Sequence, residues 1–346
     1  MFDCVGTPYF KEKWFQNVEK VFMNIDTFNP IKCDELEDEF CKLYSKKYAV
    51  TINSGTTGIW ASLVASNIKP GDEVIIANYG FPAAYKSIVA LGAIPIPIEL
   101  NEYTLAMDLV LIKKAITPKT KALIHIETNG WVSDAVEDIQ KICKENNIIF
   151  IEDSCPCYAQ KYKDKMAGTF GDLNIISFSL HKNLYCGEGG IVLTDNEEYY
   201  KNLKTIRYND HHLKHKKNHN HNICMSTFNA AFLLEQLKDK EYLDLLTTEK
   251  ERIHQGYKKH LNIYENKHVT NNYIFSSYFS EKIDLINVQL PKFFNGFRIR
   301  PYPVIDKTQK FSTWISQHHI DLPCHIGLDD KKIQGIAIYI KRIEND

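Results

Sequence analysis

The chain of 346 residues suits one large domain with a smaller companion, and its 42 Lys and Arg against 43 Asp and Glu give a formal net charge of −1. That balance sets up no field to draw in nucleic acid or an anionic membrane surface, so neither is an expected partner and any anionic ligand must be caught locally. With 44% hydrophobic and 25% charged residues, no run near the roughly 20 apolar residues of a membrane helix, and no basic-then-apolar stretch in MFDCVGTPYF, a soluble cytoplasmic protein is expected.

From Tyr48 to about Thr194 a short apolar run, a turn and an amphipathic stretch repeat along the chain. The runs YAVTI (48–52), EVIIA (73–77), IPIPI (94–98), KALIHI (121–126), IIFIE (148–152), NIISFS (174–179) and GIVLT (190–194) predict strands. Between them TTGIWASLVAS (56–66), PAAYKSIVALG (82–92) and DAVEDIQKICKEN (134–146) place apolar residues three and four apart, as helices do. The alternation predicts an α/β fold with a mostly parallel mixed sheet sandwiched by helices, and ligands beyond the carboxyl ends of its strands.

The segment Asp210–Asn222, DHHLKHKKNHNHN, carries His211, His212, His215, His219 and His221 among Lys and Asn. No carboxylate or Cys stands at ligand spacing, so a solvated loop is expected and no metal is assigned. After Phe228 the run FNAAFLLEQLKDKEYLDLLTTEKERIHQGYKKHL predicts a long helix leading from a large domain, residues 1–240, into a small C-terminal α+β domain, residues 241–346. There RIRPYPVI reads as a strand and DDKKIQGIAIYIKRIE as a closing helix. The nine Cys are scattered, odd in number and without a C-x-x-C pair, which suits reduced thiols; Cys155 and Cys157, flanking Pro156, are expected as small buried apolar groups.

Three pieces carry chemistry. Asn53-Ser54-Gly55-Thr56-Thr57-Gly58 joins a strand to a helix, where backbone N–H groups, a glycine and hydroxyls can hold a phosphate, although Ser and Thr there are also ordinary helix caps. Asp153 ends the apolar strand IIFIE, and could bind a metal, cap a helix or pair with a cationic ring nitrogen. Lys182, in SFSLHKNL just past a strand and before Gly187-Glu188-Gly189-Gly190, can project into the cleft, where desolvation favours the neutral amine that builds imines.

Taken together, these pieces give a chain that resembles the DegT-type nucleotide-sugar aminotransferases, pyridoxal-phosphate (PLP) enzymes of fold type I. The resemblance runs from about Leu36 to Arg207 through SGTTG, KPGDEVIIANYGFPAAY, LGAIPIPIEL, AITPKTKALI, IIFIEDS, GTFGDLNIISFSLHKNL and GEGGIVLTD, and returns at Asn222-Ile223-Cys224-Met225 and near HHIDLPCHIGLDD. It implies PLP as cofactor, with pyridoxamine phosphate (PMP) as its intermediate form. Lys182 would be the Schiff-base lysine and the acid/base that shuttles the proton, and Asp153 the partner of the ring nitrogen. Phe81 would stack on the ring, Gly55, Thr56 and Ser177 would contact the phosphate, and Asn222 would reach the phosphate of a neighbouring subunit, which implies a homodimer with shared sites. The chain departs from the family at Pro156, where a Gln binds the ring hydroxyl. It also departs at Glu127-Thr128-Asn129-Gly130, in place of a His/Tyr-Gly loop, and at Cys224, in place of an Arg.

The resemblance implies transfer of an amino group from glutamate to a UDP- or dTDP-linked 4-keto-6-deoxyhexose. A 3-keto-sugar aminotransferase is the near alternative. A PLP sugar dehydratase would carry His in place of Lys182, and a PLP-binding regulator would be expected to bring a DNA-binding module, which the sequence lacks.

Overall fold

The computed structural model describes residues 9–23, 31–130, 132–207, 221–263, 275–283 and 302–345. Each apolar run of the repeating region is a strand, because a run buried on both faces has to pair on both sides. In chain order the elements begin with α1 (Glu12–Met23), α2 (Ile31–Tyr44), β1 (Tyr48–Ile52), α3 (Gly55–Ala65), β2 (Glu73–Ala77), α4 (Ala83–Ala90), β3 (Ile94–Ile98), α5 (Leu109–Ala115), β4 (Thr120–Ile126), α6 (Val136–Glu145) and β5 (Ile149–Asp153). A small hairpin follows, β6 (Lys161–Tyr162) and β7 (Lys165–Met166), then β8 (Leu173–Ser177), β9 (Gly190–Thr194), α7 (Glu197–Arg207), α8 (Thr227–Lys238) and α9 (Lys240–Lys258). The chain closes with β10 (Phe275–Phe279), α10 (Lys310–His318), β11 (His319–Pro323) and α11 (Asp330–Ile343).

Seven strands form one sheet in the order β1-β9-β8-β5-β4-β2-β3. Neighbours are parallel from β8 through β3, while β9 runs antiparallel to both β1 and β8. Helices cover both faces. Ile76, Ile124, Ile151 and Val192 pack with α3 and α4 on one face, and Ile75, Leu123 and Phe150 pack with α6 and Ile315 of α10 on the other. The chain is α/β with a mostly parallel mixed sheet, as its alternation predicts. Another apolar cluster, of Ile253, Tyr257, Tyr278, Leu322, Ile336 and Ile340, joins α9, the antiparallel β10–β11 pair and α11.

The helical run after Phe228 is two helices. Asp239, at φ −87° and ψ 83°, ends α8 and caps α9 by accepting the Tyr242 N–H. Its carboxylate also takes Lys11, Lys13 and the Trp14 indole, so tertiary pairing with the N-terminal helix fixes the break. The strand expected at RIRPYPVI falls partly outside the described residues, and Val304 makes a single bridge to Tyr79. Pro303 has no N–H to extend a ladder there.

A buried polar knot ties α2, β1 and α7. Glu37 accepts the Thr51 N–H and hydroxyl, both at 2.8 Å, the Lys204 ammonium at 3.1 Å and the buried Arg207 guanidinium. Just beyond it the Ile206 carbonyl accepts His221 N–H and the Arg207 carbonyl accepts Ile223 N–H, each at 3.3 Å. His211, His212, His215 and His219 lie outside the described residues; His221 sits edge-on to Trp60 at 5.1 Å. Among the described residues, no group of three or more His, Cys, Asp or Glu could hold a metal, and no helix is long and apolar enough to cross a membrane.

Candidate active site

At the carboxyl ends of β1, β2, β4, β5 and β8 the loops surround a cavity of about 200 Å³. It brings together Gly55, Thr56, Phe81, Asp153, Ser177 and Lys182, six of the seven residues singled out in the sequence. The seventh, Asn222, is exposed and does not line this cavity; its neighbour Ile223 accepts the Asn53 N–H at 2.8 Å.

The phosphate-like wall is built by the start of α3. Ser54 is extended, at φ −165° and ψ 158°, and its hydroxyl accepts the Thr57 N–H, which leaves the earlier N–H groups of Gly55 and Thr56 without intrahelical acceptors at the positive end of the helix. Position 55 has room only for glycine. A Cβ there would come within 2.6 Å of Cys155 Sγ and 2.9 Å of Ser177 Cβ, so the backbone sits against the ends of β5 and β8. The glycine keeps that wall open to an anion.

Asp153 is 3% exposed at the end of β5, and its Oδ1 accepts the Cys155 N–H at 3.1 Å. Burial pushes its carboxyl above the ordinary range, while hydrogen bonding from Cys155 and the charge of Lys182 pull it back. Lys182 is held in a turn by its own N–H to the Ser179 carbonyl, at 2.9 Å, and the turn is closed by Cys186 N–H to Phe178 carbonyl and Phe178 N–H to Gly189 carbonyl, both 2.9 Å. Phe81 is 40% exposed and meets Tyr302 edge-on at 6.3 Å. Burial raises the Cys155 and Cys157 thiols well above their ordinary values, which keeps both protonated.

The cavity also has lining that sequence reasoning did not single out: Thr128, Ser179, His181, Glu188 and Tyr302. Their position beside Lys182 was a usable signal for Ser179, His181 and Glu188. Tyr302 comes from RIRPYPVI, far along the chain, whose strand-like pattern carries no sign of the cavity. Pro156 lines the cavity too, so the site has a ring without a donor at that point.

The model of the DegT/DnrJ/EryC1/StrS aminotransferase family matches residues 8–341. An uncharacterized protein of Methanocaldococcus jannaschii is 35% identical over 204 residues, which cover 59% of this chain and 51% of that protein. The GDP-perosamine synthase of Escherichia coli O157:H7 is 31% identical over 254 residues, 72% of this chain and 68% of the synthase. The chain therefore spans about half the length of the first relative and about two thirds of the second. Among solved structures, one described as a sugar aminotransferase from Streptococcus pneumoniae, in its PMP form, superposes with a TM-score of 0.86 at 22% identity, covering 99% of this chain and 97% of that one. That last likeness is one of fold.

Proposed function

The chain belongs to the DegT/DnrJ/EryC1/StrS aminotransferase family, and from that membership we propose that it is a PLP-dependent sugar aminotransferase using Lys182 as its covalent lysine. The observation that carries the reading is the meeting of Lys182, a buried Asp153 and the Gly55–Thr56 helix start in one cavity. The cradle at Gly55, which a Cβ would fill, and the carboxylate opposite an amine fit the phosphate and the ring nitrogen of PLP. When bound, the cofactor supplies an electron sink for breaking a bond at the amino-donor carbon.

The chain's own groups do the rest. The N–H groups of Gly55 and Thr56, with the Ser177 hydroxyl, hold the phosphate. Asp153 keeps a proton on the ring nitrogen, Phe81 orients the ring, and Lys182 Nζ carries the proton to and from the donor carbon. The missing donor at Pro156 leaves Thr128, Ser179 and His181 as the cavity groups able to meet the ring hydroxyl. The substrate of this reading is a nucleotide-linked 4-keto-6-deoxyhexose with glutamate as donor. UDP and dTDP carry over from the family resemblance, and the GDP-perosamine synthase relative adds GDP to the nucleotides to be tried. We propose that Asn222 belongs to the site of a second protomer; its exposure outside this protomer's own cavity lining supports a homodimer with shared sites. A cytoplasmic location fits this soluble chemistry.

Borohydride reduction of the protein loaded with PLP, followed by peptide mapping, should label Lys182. A label on Lys201 or Lys204, or no label, overturns the reading. Glutamate should then convert the cofactor to its amine form, and a panel of UDP-, dTDP- and GDP-linked keto sugars should show which one restores the starting spectrum.

A further inference from the structure

Behind Asp153, on the other face of the sheet, lies a charged group of side chains that the reaction does not touch. His125 and Glu152 are register partners on β4 and β5, one step before the Ile126–Asp153 pair, so their side chains point away from the cavity. His125 is 2% exposed, and Glu127 and Glu152 are fully buried. Glu152 accepts four donors: the Ser154 hydroxyl and the N–H groups of Gly168, Phe170 and Gly171. Four donors into two oxygens suit a carboxylate, since an acid proton would face a donor. The Glu127 carboxylate accepts the Ser133 N–H at 2.8 Å, and its other oxygen stands 3.5 Å from His125 Nε2. Glu127 N–H donates to the Asp153 carbonyl at 3.1 Å, which fastens this group to the backbone of the site acid.

The charges around His125 are then Glu127 after its own strand, Glu152 and Asp153 from β5, and Lys182, which acts on Asp153 from the cavity side. The Cys157 thiol, held up by burial, adds none. Three buried carboxylates side by side repel one another, and a lone Asp153 facing the other two would take up a proton of its own. We propose that His125 is a positioning residue which, through its buried contact with Glu127, cancels one of these charges and keeps Asp153 ionised toward the cavity. Burial works against an imidazolium at this position, yet Glu127, and behind it Glu152 and Asp153, hold the His125 pKa above the ordinary value.

The inference rests on the proposed PLP chemistry, and its test reads the proton rather than turnover. Protein loaded with PLP labelled with ¹⁵N in the ring reports by NMR how far the ring nitrogen is protonated across pH. His125→Gln should move the proton toward Asp153, so that the share of ring nitrogen protonated on the neutral-pH plateau falls, by up to about tenfold in the ring-to-acid proton ratio, the scale of one charge at this range in a protein interior. Glu127→Gln should move it in the opposite direction, and the double variant should return near the wild-type share. A packing role alone makes both single changes act in the same sense, or leaves the share unmoved while the melting temperature falls; either result overturns the inference. If His125→Gln does not fold, the sign of the Glu127→Gln change decides. A wild-type chain that holds no cofactor overturns the proposed function as well, whereas bound cofactor with an unmoved share overturns this inference alone.

Discussion

Replacing Gly55 with Ala tests the geometry of the site with a single methyl group. Inside a helix the change would by itself favour folding by about 0.5–1 kcal/mol. Here the new Cβ must sit 2.6 Å from Cys155 Sγ and 2.9 Å from Ser177 Cβ, and neither neighbour is the far end of a flexible chain. Overpacking of this kind costs about 1–3 kcal/mol. Two contacts below 3.0 Å put the cost in the upper part of that range, so a net loss of about 1–2.5 kcal/mol is expected, read as a fall of a few degrees in the melting temperature. The start of α3 has to retreat from β5 and β8, and PLP affinity should drop about tenfold for each 1.4 kcal/mol of phosphate binding that the retreat removes. Cys155→Ala in the same chain relieves the nearer clash and leaves the one at Ser177, so it should recover part of both losses. The assays are thermal melting of the cofactor-free protein and cofactor titration by absorbance. Wild-type melting and affinity in Gly55→Ala, or simple addition of the two costs in the double variant, would refute the reasoning.

Asp153→Asn should retain PLP and lose most transamination, since an amide cannot stabilise the ring-nitrogen proton; near-normal turnover would make the acid structural. Without cofactor the same variant should melt higher than the wild type at neutral pH. Burial raises the folded carboxyl's pKa, so the native state holds its proton more tightly than the unfolded chain, and stability falls as pH rises through that raised value. The difference should shrink as pH drops below the ordinary carboxylate range, and a constant difference would refute it. Asp239 has the opposite sign: burial pushes its carboxyl up, but Lys13, Lys11 and the Trp14 indole outweigh it and hold the pKa at about 2. These contacts should stabilise the fold above the ordinary carboxylate value near 4, with the contribution lost as pH falls toward 2 and absent from Asp239→Asn melts. Mixing Asn222→Ala with Lys182→Ala subunits should restore about a quarter of wild-type activity, because half the dimers would carry one intact site; no recovery despite proven subunit exchange would remove Asn222 from a shared site.

The sheet was legible because its strands are short runs of Ile, Val and Ala whose ends carry Gly, Pro, Asn or Asp, and β1, β2, β3 and β9 coincide with the runs read from the sequence. Gly55, Thr56, Asp153 and Lys182 were legible because each lies at or just past such a strand end, while Phe81 and Ser177 came from the family resemblance; the cavity gathers all six. What was not legible depends on register or on distant chain. The break at Asp239 follows from cations contributed by α1 and the residue before it. The His125–Glu127 contact follows from where β4 ends beside β5. Tyr302 reaches the cavity from RIRPYPVI, a strand-like run whose pattern gives no sign of the site.

The knot at Arg207 has a consequence for how this gene can change. Carbonyls of Ile206 and Arg207 take up the chain again at His221 and Ile223, so the two ends of the stretch between them are spliced onto the sheet by backbone bonds and by the Glu37 carboxylate. The entropy of closing such a stretch grows only with the logarithm of its length. What ties the two ends is set outside that stretch, by α7 and the Glu37 carboxylate, so a substitution at Glu37 or Arg207 should be felt at Ile223 and at β1 together.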